Sequence, residues 1–103
     1  MTLFDEREDA FEKQFAHDED LRFKAQARRN KLLGLWVAER LGKTGYEAEI
    51  YARGIVLADF EKAGDGNVLR RIRQDLEGSG TSVSEAELQA KVTQLTARAI
   101  EEI

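Results

Sequence analysis

The chain has 103 residues and a net charge of −4, with 42% hydrophobic and 35% charged residues and with neither cysteine nor proline. This length suits one domain with a modest core, and the missing cysteine excludes disulfides, thiolate nucleophiles and zinc sites built from cysteine. No apolar run approaches the roughly 20 residues that span a bilayer, and the acidic start lacks the apolar stretch of a signal peptide, so we expect a cytoplasmic protein with no membrane partner.

The charge is distributed in blocks along the chain. Residues 1–20 hold eight acids and two bases, whereas residues 21–43 hold one acid and seven bases. The remaining residues, 44–103, are again acidic, with eleven acids and seven bases. Separated charge of this kind steers association with a complementary partner, so the blocks are candidate interaction surfaces.

The N-terminal segment, residues 1–20, continues the helical pattern of the chain that follows but has few apolar side chains. Its apolar stripe consists of Phe4, Phe11 and Phe15 only. Because tertiary packing supplies most of the stability of a helix, a segment with so little to bury is weakly held. We expect a mobile N-terminal segment projecting from a four-helix domain over residues 21–103. Two readings of the stripe remain: it docks onto the protein's own core, or it binds in the groove of a partner.

Glycines and capping residues divide the domain into four helices, which predicts an all-α fold, a four-helix bundle with a long first helix. Gly42 is suited to end the first helix in the left-handed conformation. The candidate core positions of the first helix are Leu21, Ala25, Leu32, Leu35 and Trp36. The second helix is predicted over residues 45–63, and its candidate seam is Tyr46, Ile50, Leu57 and Phe60.

The third and fourth helices have clearer patterns. After Gly64, the inward positions of the third helix are Val68, Leu69, Ile72 and Leu76. Ser84 and Glu87 have the spacing of a capping box and start the fourth helix. The apolar stripe that follows is Leu88, Val92, Leu95, Ala99 and Ile103. No segment alternates as a strand does.

Two motifs that suggest chemistry are better explained as structure. Gly42, Lys43 and Thr44 resemble the end of a phosphate-binding loop, but Val37 stands where that loop needs a glycine, and a helix precedes the turn. We therefore interpret them as a helix end followed by a helix start.

Basic clusters lie at Arg28, Arg29 and Lys31 and again at residues 70–73. The chain is acidic overall and no stacking aromatics interleave, so we expect a solvated helix face or a protein-binding patch rather than a nucleic-acid site. The single histidine, His17, stands among acids and has no partner histidine for a metal site or a catalytic triad. No carboxylate pair stands out as catalytic. We therefore expect no enzymatic activity, no bound metal and no cofactor.

Three stretches of the sequence resemble a known family. They are FDERE at residues 4–8, FAHD at residues 15–18, and ARRNKLLGLW at residues 27–36. In these stretches, and more weakly through most of the chain, the sequence is similar to the zeta subunit of the bacterial F-type ATP synthase, a natural ATPase inhibitor.

The resemblance implies a four-helix domain with a mobile inhibitory segment, here residues 2–16. It implies that this segment enters a catalytic interface of the synthase head, among the alpha, beta and gamma subunits, and folds there as a helix. ATP hydrolysis would be blocked while synthesis is largely spared. The residues that match in the segment are Phe4, Arg7, Phe11 and Phe15, which makes them the candidate partner-binding residues. Adenine nucleotide is also associated with the family, but no motif assigns residues to it.

The alternative is a helical regulatory or adaptor protein that binds a protein partner or adenine nucleotide. Such a module would respond to nucleotide without the synthase, whereas an inhibitor must co-purify with the catalytic head.

Overall fold

The computed structural model describes residues 11, 13–15, 18–61 and 65–103. These residues form four α-helices and no strand, which confirms the predicted all-α class. The helices are α1 (Glu19–Arg40), α2 (Gly45–Glu61), α3 (Asp65–Gly78) and α4 (Glu85–Glu101). Because α1 contacts each of the other three helices and α2 also packs against α3, α1 is the central element of the bundle.

Both ends of α1 are fixed by local hydrogen bonds. Asp18 has an extended backbone and its side chain accepts a hydrogen bond of 3.1 Å from the backbone N–H of Leu21. This cap starts the helix, although the helical pattern of the sequence extends further upstream. At the other end Gly42 has a φ of 80°, and the N–H of Lys43 bonds to the carbonyl of Ala38 at 2.9 Å. The prediction that Gly42 ends the first helix is confirmed.

Ser84 caps α4 as predicted, because its hydroxyl oxygen accepts a hydrogen bond of 3.0 Å from the N–H of Glu87. The reciprocal hydrogen bond of the predicted capping box, from the backbone N–H of Ser84 to the carboxylate of Glu87, is absent among the described residues. Instead, the carboxylate of Glu87 accepts a hydrogen bond of 3.1 Å from Arg40, at the end of α1. The start of α4 is thereby tied to the end of α1.

The core is built from all four helices. The predicted inward residues of α3, namely Val68, Leu69, Ile72 and Leu76, are all buried. Of the stripe predicted on α4, four residues are buried and Ile103 is 44% exposed. The contiguous core of buried residues comprises Leu32, Leu33, Val37, Ala38, Tyr51, Ile55, Val68, Leu69, Ile72, Leu76, Leu88, Val92 and Leu95.

The predicted core positions of α1 are only partly correct. Ala25 and Leu32 are buried, but Leu21, Leu35 and Trp36 are half-buried. The indole of Trp36 packs against the edge of the core, with the cationic groups of Arg40 and Lys91 at 5.3 and 5.7 Å from the ring centroid. Trp36 therefore covers the edge between α1 and α4 rather than filling the centre.

The predicted seam of α2 is wrong. All four of its residues are more than half exposed: Tyr46 by 67%, Ile50 by 53%, Leu57 by 57% and Phe60 by 53%. The side chains that face inward are instead Tyr51, Ala52 and Ile55.

A close contact between α1 and α2 explains which face of α2 is buried. A Cβ atom placed on Gly34 would lie 2.7 Å from the Cα atom of Ala52, so the two backbones are in contact. Only a face with a small residue at this point permits that approach, and the face of α2 that carries Leu57 and Phe60 has larger side chains. Apolar residues occupy both faces of α2, so periodicity alone did not distinguish them.

Candidate partner-binding site

The four candidate partner-binding residues lie in or near the start of the described structure. Phe4 and Arg7 lie outside the described residues. Phe11 is 1% exposed, and Phe15 is half-buried. Both phenylalanines that the structure describes are therefore at least partly shielded from water in the free chain. The burial of Phe11 favours the first reading of the stripe, in which it docks onto the protein's own fold.

Phe11 and Phe15 are held in one helical turn. Phe11, Lys13 and Gln14 are helical, and the N–H of Phe15 bonds to the carbonyl of Phe11 at 2.8 Å. The N–H of Asp18 in turn bonds to the carbonyl of Phe15 at 3.0 Å, which leads directly into the cap of α1. Among the described residues, the contiguous core joins side chains of α1–α4 and does not include Phe11.

The basic cluster on α1 is used within the domain. Arg28 donates hydrogen bonds of 3.0 and 2.8 Å to the carboxylate of Glu102, which also accepts one of 2.8 Å from Arg98. These hydrogen bonds, from Arg28 first and then from Arg98, lower the pKa of Glu102. Lys31 lies 3.9 Å from the carboxylate of Glu49 on α2.

Arg29, the middle residue of that cluster, is buried. It and its neighbour Asn30 both have 0% exposure, and the Nε of Arg29 donates a hydrogen bond of 2.8 Å to the side-chain carbonyl of Asn30. The expectation of a solvated face or a protein-binding patch is therefore wrong for Arg29. A buried guanidinium needs hydrogen-bond acceptors, and no sequence pattern indicated that this arginine would be the inward one.

The second basic cluster is also structural. Arg71 donates a hydrogen bond of 3.2 Å to the backbone carbonyl of Gly54 on α2, and Arg70 donates one of the same length to Asn67. Arg73 forms a bidentate ion pair with Glu85 at the start of α4, in which the Nε–Oε2 distance is 3.0 Å. The hydrogen bond between them raises the pKa of Arg73 and lowers that of Glu85.

An exposed apolar surface was not anticipated from the sequence. The four α2 side chains assigned to the seam are joined by Phe23 of α1, whose ring centroid lies 5.0 Å from that of Phe60. We call these five residues, Phe23, Tyr46, Ile50, Leu57 and Phe60, the α2 surface. The signal that indicates it is the apolar character of both faces of α2, of which the bundle can bury only one.

Neither a metal site nor a membrane-spanning helix occurs among the residues that the structure describes. The part of the chain that the structure describes contains no group of three or more histidine, cysteine, aspartate or glutamate residues arranged to hold a metal ion. Within the same residues no helix combines the length and apolarity needed to cross a membrane.

Comparisons with known proteins extend the resemblance found in the sequence. A protein whose structure was solved by solution NMR is 50% identical, and the match covers 81% of this chain and 99% of that one with a TM-score of 0.68. None of the curated proteins matches. The sequence profile of the family described as ATPase inhibitor subunit zeta matches residues 1–102. The chain therefore belongs to the ATPase inhibitor subunit zeta family.

Proposed function

We propose that this protein blocks ATP hydrolysis by the F-type ATP synthase by inserting residues 2–16 into a catalytic interface of the head, among the alpha, beta and gamma subunits. Membership of the family supports an ATPase-inhibitory role and binding to the synthase. The observation that carries the proposal is that the family match begins at residue 1 and so includes the segment. In this role the protein is a cytoplasmic regulator and not an enzyme.

The four-helix domain supports this mechanism because its core does not depend on the segment. Every residue of the contiguous core lies between Leu32 and Leu95. The start of α1 has its own cap, because Asp18 accepts a hydrogen bond from the backbone N–H of Leu21. The segment can therefore leave the domain without removing a member of this contiguous core, although the burial of Phe11 is lost.

The burial of Phe11 sets a condition on the mechanism. A fully buried phenylalanine is stabilised by about 1.5–3 kcal/mol relative to an exposed one. Insertion into the head must replace the environment that Phe11 has in the free chain, where it is 1% exposed. If the head offered nothing in return, affinity would fall by about 10- to 100-fold. The catalytic interface must therefore enclose this side chain, or other contacts with the head must offset the loss.

The segment alone offers limited binding energy. Burying three exposed phenylalanines would be worth roughly 5–9 kcal/mol before the entropy of ordering is subtracted. The gain here is smaller, because Phe11 is already buried and Phe15 is half-buried in the free chain. Tight association in the nanomolar range needs about 12 kcal/mol net. Inhibition in that range would therefore require further contacts from the folded domain.

Deletion of residues 1–16 tests the proposal. ATP turnover by the purified synthase head is measured with the intact and the truncated protein, with circular dichroism of both. We expect the truncated protein to keep its helicity and to lose inhibition. A matched control is Thr93→Asp, an exposed substitution on α4 that leaves the segment intact and should inhibit as the unchanged protein does. Full inhibition by a folded, truncated protein would contradict insertion of the segment.

A further inference from the structure

The α2 surface has the dimensions of a helix-docking site. Tyr46, Ile50, Leu57 and Phe60 follow one another at steps of four, seven and three residues, which places them on one side of α2. From Tyr46 to Phe60 the helix rises about 21 Å, or four turns. Single exposed apolar residues are common on protein surfaces, but several on one side of a helix over this length are typical of an interaction site.

A cation lies in the middle of this stripe. Arg53 is three residues after Ile50 and four before Leu57, so it shares their side of the helix, and it is exposed. Arg53 makes no ion pair or hydrogen bond with any residue in the described part of the chain, whereas Arg28, Arg40 and Arg73 each bind a carboxylate.

The surroundings of Arg53 are apolar and basic. Together with Lys31, Val56 and Leu57 it lines an open hollow of about 310 Å³. Lys31 is already paired with Glu49, so Arg53 is the cation left to meet a partner's charge. A matching partner presents apolar side chains along a helix and a carboxylate near the middle.

A second copy of this chain does not fit this requirement. Arg53 is the midpoint of the stripe between Tyr46 and Phe60. Two copies related by a twofold axis and centred on the stripe place Arg53 against Arg53, in either the parallel or the antiparallel arrangement. Like charges held together in a desolvated interface cost several kcal/mol, so the charge pattern favours a different partner.

We propose that the α2 surface is a second docking site, which binds an amphipathic helix of the synthase head whose apolar stripe carries a carboxylate opposite Arg53. This inference rests on the proposed function, and it identifies where the folded domain adds the contacts that the segment cannot supply. Recognition follows the helix-in-groove mode, with Ile50 and Leu57 as apolar anchors and the arginine–carboxylate pair fixing the register.

The test uses the full-length chain and the purified synthase head, and it measures both the Kd and the maximal inhibition at saturation. The variants are Leu57→Asp and Arg53→Glu. Arg53→Lys is the charge-conserving control, and Thr93→Asp on α4 is the control outside the α2 surface. All of these side chains are exposed, so the fold is retained, and a urea melt of each variant verifies this.

We expect Leu57→Asp and Arg53→Glu each to raise the Kd by about tenfold or more, because a charge at an apolar anchor or opposite a carboxylate opposes docking. Arg53→Lys should have a smaller effect, and Thr93→Asp should have none. Maximal inhibition should be unchanged in every variant, since residues 2–16 are intact.

Three results would overturn the inference. Equal affinities for all variants, with an unchanged protein that inhibits, would remove the docking site and leave the proposed function standing. Self-association of the free protein that Leu57→Asp abolishes would identify a second copy as the occupant. Nuclear Overhauser contacts between Leu57 and residues 1–16 in the free chain would identify the protein's own segment. Failure of the unchanged protein to bind the head would instead refute the proposed function itself.

Discussion

Gly34 of α1 and Ala52 of α2 meet so closely that a Cβ atom on Gly34 would lie 2.7 Å from the Cα atom of Ala52 and 3.4 Å from the Cβ atom of Ile55. The two helices thus touch through their backbones in the middle of the bundle. Because of this contact, the face of α2 that carries the small residue Ala52 points inward, and Leu57 and Phe60 lie on the outside.

Gly34→Ala is therefore expected to destabilise the domain. Alanine in a helix interior is better than glycine by about 1 kcal/mol, but the new methyl group collides with backbone that cannot move without separating α1 from α2. Overpacking of this kind costs about 1–3 kcal/mol, so we expect a net loss of up to about 2 kcal/mol in the free energy of unfolding from a urea melt.

The control for that substitution is Gly78→Ala at the end of α3. Nothing lies within 4 Å of a Cβ atom at Gly78, and its φ is not positive. This variant should be unchanged or slightly more stable. A Gly34→Ala protein that melts like Gly78→Ala would show that the helices separate freely at this point.

Most of the bundle could be predicted from the sequence, because helix ends and one-sided apolar faces depend on local residue types and spacing. Helix ends depend on local chemistry, so Gly42 and Ser84 were identifiable from their types and spacing. On α3 one face is apolar and the other charged, so its four inward residues followed from periodicity. On α2 both faces are apolar, and the choice depended on the approach of Gly34, which is a tertiary contact.

The candidate site was less predictable than the fold. The sequence identified Phe11 and Phe15 as an apolar pair, but whether such a pair is buried depends on packing in three dimensions. Arg29 shows the same limit: it is indistinguishable in sequence from its neighbour Arg28, yet it is buried while Arg28 pairs at the surface. The α2 surface emerged only when the bundle left it uncovered.

Tyr51 should make the protein sensitive to alkaline pH. Its hydroxyl donates a hydrogen bond of 2.7 Å to Asp75, and burial, followed by this hydrogen bond, raises its pKa well above the ordinary value of 10. A pKa that is raised on folding contributes stability that is present below the unfolded value and lost as the pH rises through the folded one. The unfolded chain releases this proton near pH 10, so stability should fall from there upwards.

Tyr51→Phe tests this expectation. At pH 7 the variant should lose about 1.5–3 kcal/mol, the value of a hydrogen bond to a charged group. Near pH 11 the difference from the unchanged protein should shrink by about 1 kcal/mol, because only the tyrosine loses stability there. In a Tyr46→Phe background, tyrosinate absorbance reports Tyr51 alone. Ionisation of Tyr51 near pH 10 in the folded protein would contradict the buried hydrogen bond.

The ion pair between Arg73 and Glu85 predicts the opposite dependence on pH. The hydrogen bond from Arg73 lowers the pKa of Glu85 below its ordinary value of 4.5. The stability it contributes is therefore present above about pH 4.5 and lost as the pH falls through the folded value. Because the two side chains are 41% and 50% exposed, we expect only about 0.2–1 kcal/mol.

Glu85→Gln should remove this contribution near pH 7 and have a smaller effect near pH 3, because the carboxyl group gains a proton as the pH falls through its lowered folded pKa. The comparison is a set of urea melts across that range. Glu77→Gln on α3 is the control, since Glu77 is exposed and makes no side-chain ion pair with the residues that the structure describes. An equal loss at both ends of the range would mean that Glu85 stabilises through packing rather than through its charge.

The different burial of Phe11 and Phe15 predicts which of them matters more for inhibition. Replacing a phenylalanine by alanine changes the free energy of binding by the stability lost in the complex minus the stability lost in the free protein. Phe11 is already 1% exposed before binding, so its transfer to the head gains little, whereas half-buried Phe15 has surface still to bury. With about 1.5–3 kcal/mol for a full phenylalanine, the surface that Phe15 still has to bury is worth at most about 1 kcal/mol. We expect Phe15→Ala to raise the inhibition constant more than Phe11→Ala does, by up to about fivefold and mostly through faster dissociation. Phe11→Ala should instead lower the stability of the free protein more than Phe15→Ala.

Inhibition constants measured with the synthase head, together with melts of both free variants, separate the two effects. A larger loss of affinity from Phe11→Ala would mean that the head encloses Phe11 in contacts that exceed those of the protein's own fold.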